Sequence, residues 1–181
     1  AKALVNAAGP WVANFIKQQT QTTPPYGVRL IKGSHIVVPR LHEQKEAFIL
    51  QNEDNRVVFV IPYLEHFSLI GTTDVEYEGN PSEVNISQDE TEYLLQVSNQ
   101  HFKHQLTAKD IVWDFSGVRP LCDDESDNPA AITRDYTLAL DESSAAPLLS
   151  IFGGKITTYR KLAEASLEKL QPYFSNMGNG W

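Results

Sequence analysis

Cysteine is almost missing from this 181-residue chain, which carries one, Cys122. A single thiol excludes an internal disulfide and fits a reducing compartment. Flanked by Asp123, Asp124 and Glu125, it reads as an ordinary thiol. Positive charge is also short: 15 Lys and Arg face 23 Asp and Glu, for a formal net charge of -8. General nucleic-acid binding needs a basic face and is disfavoured. So is electrostatic docking of this segment onto an anionic membrane surface. No apolar run approaches the roughly 18 residues of a membrane-spanning helix. Internal repeats and low-complexity tracts are missing too, and no signal peptide is expected. The chain opens on "AKALVNAAGPW" without an initiator Met, so it is expected to be a piece of a longer protein.

What is present is ordinary for a soluble globular protein: 41% hydrophobic and 21% charged residues. The length suits one domain, or one domain with pieces of another. "AKALVN" reads as a short strand, followed by the small-residue turn Ala7-Ala8-Gly9 and a helix with Pro10 at its start, where a missing N–H costs nothing. "TQTTPPYG" (20 to 27) is turn-rich and marks a candidate boundary. Beyond it come "VRLIKGSHIVVP", "RVVFVIPY", "HFSLIGTTD", "IVWDFSGVRPL", "AAITRDYTLAL" and "PLLSIFGG", all rich in β-branched and aromatic residues and bounded by turn formers. One helix interrupts them. Ser87 with Glu90 forms a capping box, and Leu94, Leu95, Val97, His101 and Phe102 recur at helical spacing. A further helix is expected from near Thr157, with Leu162, Ala163, Ser166, Leu167 and Leu170 along one face.

The pattern predicts an α+β fold, a mixed or antiparallel sheet with helices on one side. Each end is a strand–turn–helix unit of the kind found in nucleotide-binding α/β domains. The expected division is residues 1–23 and 148–171 as pieces of such a domain, 24–147 as the intervening domain, and 172–181 as a loose tail.

Several residues could carry chemistry. "FGGKITT" places a double glycine and Lys155 before a helix, but lacks the G-x-x-x-x-G-K-[ST] spacing of a P-loop. Two readings stand: a strand-to-helix turn that needs glycine, or a helix N-terminus aimed at an electron-rich group. Arg119 in "SGVRPL" and Arg134 in "AITRDY" lie inside apolar stretches. Each alone fits an ion pair with a neighbouring acid, whereas both with Lys155 could share an anion. His35 follows a glycine within a strand, as a structural histidine or as a base reaching into a cleft. His101 and His104, three residues apart, have no Cys or carboxylate at matching spacing, and "CDDESD" lacks the glycine and distal glutamate of a calcium loop. No metal site is predicted.

Taken together, "NAAGPW", "YGVRLIKGSHIVVPR", "FVIPY", "IGTTD", "FSGVRPLCDDESD", "ITRDY" and "FGGKITTYRKLAE" resemble the bacterial FAD-dependent, respiratory (aerobic) sn-glycerol-3-phosphate dehydrogenases. These belong to the wider glycine/D-amino-acid oxidase-like flavoproteins. The likeness runs through residues 1–171 but omits the family's dinucleotide fingerprint. It implies a substrate-binding domain flanked by two short pieces of an FAD-binding domain. It further implies that Ala8 and Gly9 approach the FAD through backbone, and that Gly153, Gly154, Lys155, Ile156 and Thr157 face the flavin pyrimidine edge. His35, Arg119, Arg134 and Lys155 match pocket positions, with His35 and Arg119 in catalytic roles and Arg119, Arg134 and Lys155 binding substrate.

The implied reaction is oxidation of glycerol 3-phosphate to dihydroxyacetone phosphate, with electrons passing to a membrane quinone. The implied location is cytoplasmic, on the inner face of the cytoplasmic membrane, and a homodimer of the full-length protein is compatible with it. FAD is expected in the full-length protein and not to be retained by this chain alone. The alternatives are a glycerol-3-phosphate oxidase of the same fold, and a stand-alone anion-binding module without catalysis.

Overall fold

The computed structural model describes residues 1–20, 22–123 and 135–175. In chain order the strands are β1 (Leu4–Asn6), β2 (Val28–Pro39), β3 (Phe48–Gln51), β4 (Val57–Tyr63), β5 (Phe67–Gly71), β6 (Val75–Glu76), β7 (Trp113–Cys122), β8 (Tyr136–Asp141) and β9 (Leu148–Gly153). The α-helices are α1 (Val12–Phe15), α2 (Gln88–His101) and α3 (Tyr159–Leu170). Two compact units result, one of Ala1–Leu30 with Arg119–Trp181 and one of Ile31–Val118. The changeovers fall inside β2 and β7, whereas the change of sequence texture falls near residues 23 and 148.

The first unit carries a three-stranded sheet ordered β1-β9-β8. β1 runs parallel to β9, with Leu4 opposite Leu148 and Asn6 opposite Ser150, while β8 is antiparallel to β9. Parallel neighbours need a long crossover, and here the whole second unit lies between them in sequence. Val12, Ile16, Cys122 and Phe152 form the core of this unit, and Tyr26 meets Phe152 edge-on with ring centroids 5.5 Å apart.

The buried Asn6 fixes the turn after β1. Its amide donates to the Val12 carbonyl at 3.1 Å, and its Oδ1 accepts from the Ala8 N–H at 3.3 Å. A 3₁₀ turn, Gly9–Trp11, then leads into α1, and the chain continues as a π-helical turn, Ile16–Thr20.

The second unit is a sheet ordered β3-β4-β5-β2-β6, with β7 also paired to β2. The β2–β5, β2–β6, β3–β4 and β4–β5 ladders are antiparallel. On β4 the residues alternate cleanly: Val58 and Val60 are buried, while Val57, Phe59 and Ile61 are exposed. That period of two is the mark of a sheet covered on one face. The cover is α2, whose Leu94, Leu95 and Val97 pack with Leu106 against Ile36, Val38, Leu50, Val58, Val60 and Ile70. The capping box that starts α2 is formed as the sequence predicts: the Ser87 side chain accepts from the Glu90 N–H, and the Glu90 side chain accepts from the Ser87 N–H.

The helix expected from near Thr157 opens there as a 3₁₀ turn, Ile156–Thr158, and is α-helical from Tyr159. Two expectations need correction. Along α3, Ser166 and Leu170 are buried, but Ala163 and Leu167 face solvent, so the apolar stripe is narrower than the spacing suggests. His101 is exposed at the end of α2 and does not continue its buried face. The strands β3 and β6 were not foreseen, being four and two residues long.

Candidate functional site

The parallel pairing of β1 with β9 determines what the two end units can do. Adjacent parallel strands end at the same edge of a sheet, and ligands of open α/β sheets bind outside those carboxyl ends. Ala8 and Gly9 follow β1, Gly153 ends β9 and residues 154–157 follow it, so both turns lie at one edge. The family resemblance implies a flavin-facing role for these seven residues, and the parallel pairing puts both turns at one edge of the same sheet.

The double glycine is required by backbone shape. Gly153 and Gly154 have φ of +73° and +96°, a region L side chains rarely adopt. At Gly153 there is also no room, because a Cβ would stand 2.8 Å from the Asp135 carbonyl oxygen. Lys155 sits at the N-cap of the following turn, where no side chain caps the helix. Lys155, Ile156 and Thr157 are exposed, with Ile156 at 88%. No side chain occupies the first N–H groups of this exposed turn, which leaves them for an electron-rich ligand beside Lys155.

That arrangement fits a flavin edge. Bare glycine backbone allows close approach, uncapped N–H groups can donate to developing negative charge, and a Cβ at Gly9 would meet nothing within 4 Å among the described residues. The FAD-facing residues of this chain would be Ala8, Gly9 and residues 153–157.

His35 lies in the second unit, on β2. Along this strand Ile36 and Val38 face α2, so His35 projects to the opposite face of the sheet, where it is half-buried. Its cross-strand partner is Gly71 on β5, and Gly71 in turn faces Phe59 on β4. The imidazole lies directly over Gly71: a Cβ there would come 2.2 Å from His35 Cδ2 and 2.7 Å from Cγ. On its other side the ring stacks on Phe115 of β7, with centroids 4.9 Å apart and planes 8° from parallel. A half-buried imidazole held flat between a bare backbone and an aromatic ring has little rotational freedom, which suits a base that must meet its substrate in one orientation.

Arg119 is half-buried on β7, at the start of the first unit's second segment. Arg134 lies outside the described residues, as does most of the acidic "CDDESD" stretch. Gly71, Phe115 and Glu90 were not singled out from sequence as site residues. Gly71 had a readable signal, since a glycine at the end of a β-branched strand often marks a close approach.

Glu90 had none beyond its capping box. Its carboxylate is 4% exposed and lies 2.6 Å from the ammonium of Lys32, itself 7% exposed. It also accepts from Ser34 Oγ at 2.9 Å, Thr73 Oγ1 at 2.6 Å, the Ser87 N–H at 2.9 Å and Ser87 Oγ at 3.0 Å. Burial pushes its pKa up, but the hydrogen bonds from Lys32, Thr73, Ser87 and Ser34 outweigh this and hold it down at about 2.

The family model for FAD dependent oxidoreductases matches residues 1–160 of this chain. The chain belongs to that family. Over its whole length it is 65% identical to the aerobic glycerol-3-phosphate dehydrogenase of Escherichia coli (strain K12) and 64% identical to the glycerol-3-phosphate dehydrogenase of Pseudomonas aeruginosa. It spans 36% of each of these two relatives. Among solved structures, the glycerol-3-phosphate dehydrogenase from Bacillus halodurans complexed with FAD superposes with a TM-score of 0.78 at 31% identity, over 95% of this chain and 32% of that one. This FAD-dependent oxidoreductase segment thus corresponds to about a third of its relatives' length. Among its described residues, no helix is long and apolar enough to cross a membrane.

Proposed function

We propose that this chain is the substrate-side portion of a glycerol-3-phosphate dehydrogenase. The full-length protein would oxidise C2 of sn-glycerol 3-phosphate to the ketone of dihydroxyacetone phosphate. The observation that carries this reading is the His35 imidazole, cleared by Gly71 and held by Phe115 on the sheet face away from α2, in a chain 65% identical to an aerobic glycerol-3-phosphate dehydrogenase. Residues 1–23 and 148–171 are assigned to the FAD-binding domain, and 24–147 to the substrate-binding domain.

FAD, when bound, supplies the acceptor for the hydride that leaves C2. The protein's own residues manage the proton and the charge. His35 takes the C2 hydroxyl proton as the C2–H bond breaks. Arg119 polarises the developing ketone oxygen and helps to hold the substrate. Arg134 and Lys155 provide positive charge to the phosphate, where a guanidinium fork suits two oxygens at once. Ala8, Gly9, Gly153 and Gly154 present backbone to the cofactor. The N–H groups around Ile156 and Thr157 face the flavin edge, where preplaced donors stabilise negative charge.

The same proposal includes a membrane quinone as electron acceptor, peripheral attachment to the inner face of the cytoplasmic membrane, and a homodimer. The test of the acceptor uses the purified full-length enzyme with glycerol 3-phosphate and a soluble quinone analogue, with oxygen uptake followed in parallel. Quinone reduction without oxygen consumption is expected. Oxygen uptake in the absence of quinone would instead make it an oxidase, and no turnover with either acceptor would dismiss the activity.

A further inference from the structure

The buried polar cluster around Glu90 lies on the face of the second unit's sheet opposite His35, yet every strand segment that shapes the His35 environment is tied to it. On β2, Ser34 is the residue before His35, and its hydroxyl donates to Glu90 Oε1 at 2.9 Å. After β5, Thr73 stands two residues beyond Gly71, the glycine beneath the imidazole. Its hydroxyl donates to the same oxygen at 2.6 Å and accepts the Ser34 N–H at 2.9 Å. On β7, Ser116 follows Phe115, the ring stacked on His35, and its Oγ lies 2.8 Å from Ser34 Oγ. The Ser34 and Thr73 hydroxyls therefore bond the carboxylate directly, and Ser116 reaches it through Ser34.

The cluster is fully employed. Ser34 and Thr73 are 0% and 1% exposed, and Lys32 completes it with an ammonium 2.6 Å from Glu90 Oε2 while donating to the Asn85 carbonyl at 3.1 Å. Apolar packing is non-directional and fixes no preferred angle between the groups it joins. Short charge-assisted hydrogen bonds fix position more sharply, because each has a preferred distance and angle. The sheet transmits this directly, since successive residues of a strand project to opposite faces. Fixing Ser34 and Ser116 on one face thus fixes His35 and Phe115 on the other.

We infer that Glu90 is a positioning residue: through Ser34, Thr73 and Ser116 it sets the strand register that holds the His35 imidazole over Gly71 and against Phe115. Its consequence for turnover rests on the proposed role of His35 as the base. The position of the ring does not, so the two can be tested apart.

The experiment uses the full-length holoenzyme carrying [13Cε1]histidine, as wild type and as Glu90→Gln, His35→Gln and the double variant. The His35 signal is identified by its loss in His35→Gln. In Glu90→Gln that signal shifts or splits, kcat falls by about tenfold or more, towards the roughly hundredfold that a full 1 Å misplacement costs, and KM changes little. In the His35→Gln background the same Glu90→Gln change costs less than about twofold in kcat, because a residue acting through His35 has nothing left to position.

An unmoved His35 signal in folded Glu90→Gln would overturn the inference whatever happens to kcat. So would losses that multiply in the double variant. A signal that moves while His35→Gln keeps full kcat would leave the positioning in place and dismiss His35 as the base. Should Glu90→Gln fail to fold, Ser116→Ala cuts only the β7 arm, and the same shift of the His35 signal is expected from it; an unmoved signal there would count against the inference equally.

Discussion

Replacing Gly71 with alanine puts a methyl group where the His35 ring already lies. The new Cβ would stand 2.2 Å from Cδ2, 2.7 Å from Cγ and 2.9 Å from Nε2 of that ring. Ordinary carbon–carbon contact is near 3.5 Å, so the imidazole would have to move by more than about 1 Å. It cannot do so at no cost, because Phe115 is stacked on the ring with centroids 4.9 Å apart. Breaking that stack forfeits about 0.5–1.5 kcal/mol, and overpacking a tight site typically costs about 1–3 kcal/mol.

Displacement of a base by about 1 Å lowers turnover by about a hundredfold. The expected result for full-length Gly71→Ala is therefore a fall in kcat of that order, with a modest drop in thermal stability. The assay is reduction of an artificial dye by saturating glycerol 3-phosphate, paired with a thermal melt. Combining Gly71→Ala with His35→Ala removes the clash, so the second alanine should cost little further stability. A Gly71→Ala enzyme with wild-type kcat and melting temperature would refute the reasoning, because the methyl would then have found room without moving the ring.

Other outcomes follow from the same contacts. Glu90 is held at about pH 2 against an ordinary value of 4.5, so its carboxylate stabilises the fold above the unfolded value and that contribution is lost as pH falls from about 4.5 towards 2. The loss amounts to ~3 kcal/mol, and denaturant titrations at several pH values should show this slope in wild type and not in Glu90→Gln. Asn6→Leu leaves the Ala8 N–H and the Val12 carbonyl without the Asn6 side chain and should destabilise the first unit by about 1–3 kcal/mol, measured by urea unfolding. Leu94→Ala empties a fully buried position beneath the second unit's sheet and should cost about 2–5 kcal/mol in the same measurement. Arg134→Ala in the full-length enzyme should raise KM for glycerol 3-phosphate by about tenfold or more, the value of one charge-assisted contact, and leave the weak turnover of free glycerol unchanged.

Much of the scaffold could be read from local sequence because local rules decide it. "VRLIKGSHIVVP" coincides with β2, whose β-branched residues suit a strand buried on both sides. The Ser87–Glu90 box is a four-residue signature and marks the start of α2. The double glycine of "FGGKITT" announced a backbone that other residues avoid, and Gly153 and Gly154 adopt it.

What stayed illegible depends on contacts between distant residues. β3 is four residues flanked by charge, and its place comes from pairing with β4 rather than from its own propensity. The narrow stripe of α3 reflects a shallow seat that exposes Leu167, which spacing alone could not reveal. Glu90 advertised a cap, but its partners at positions 32, 34 and 73 are scattered along the chain, so its larger role appears only once the sheet is folded. Gly71 is the intermediate case: the glycine was visible, and what it made room for was not.

The most direct test of the central claim is to mix the full-length holoenzyme with sn-glycerol 3-phosphate under anaerobic conditions and follow the visible absorption of its flavin. Rapid bleaching by glycerol 3-phosphate, little by free glycerol, and bleaching slowed at least ~100-fold in His35→Gln are the predicted results. A flavin that stays oxidised with glycerol 3-phosphate, or one that bleaches at the wild-type rate in His35→Gln, would contradict the account.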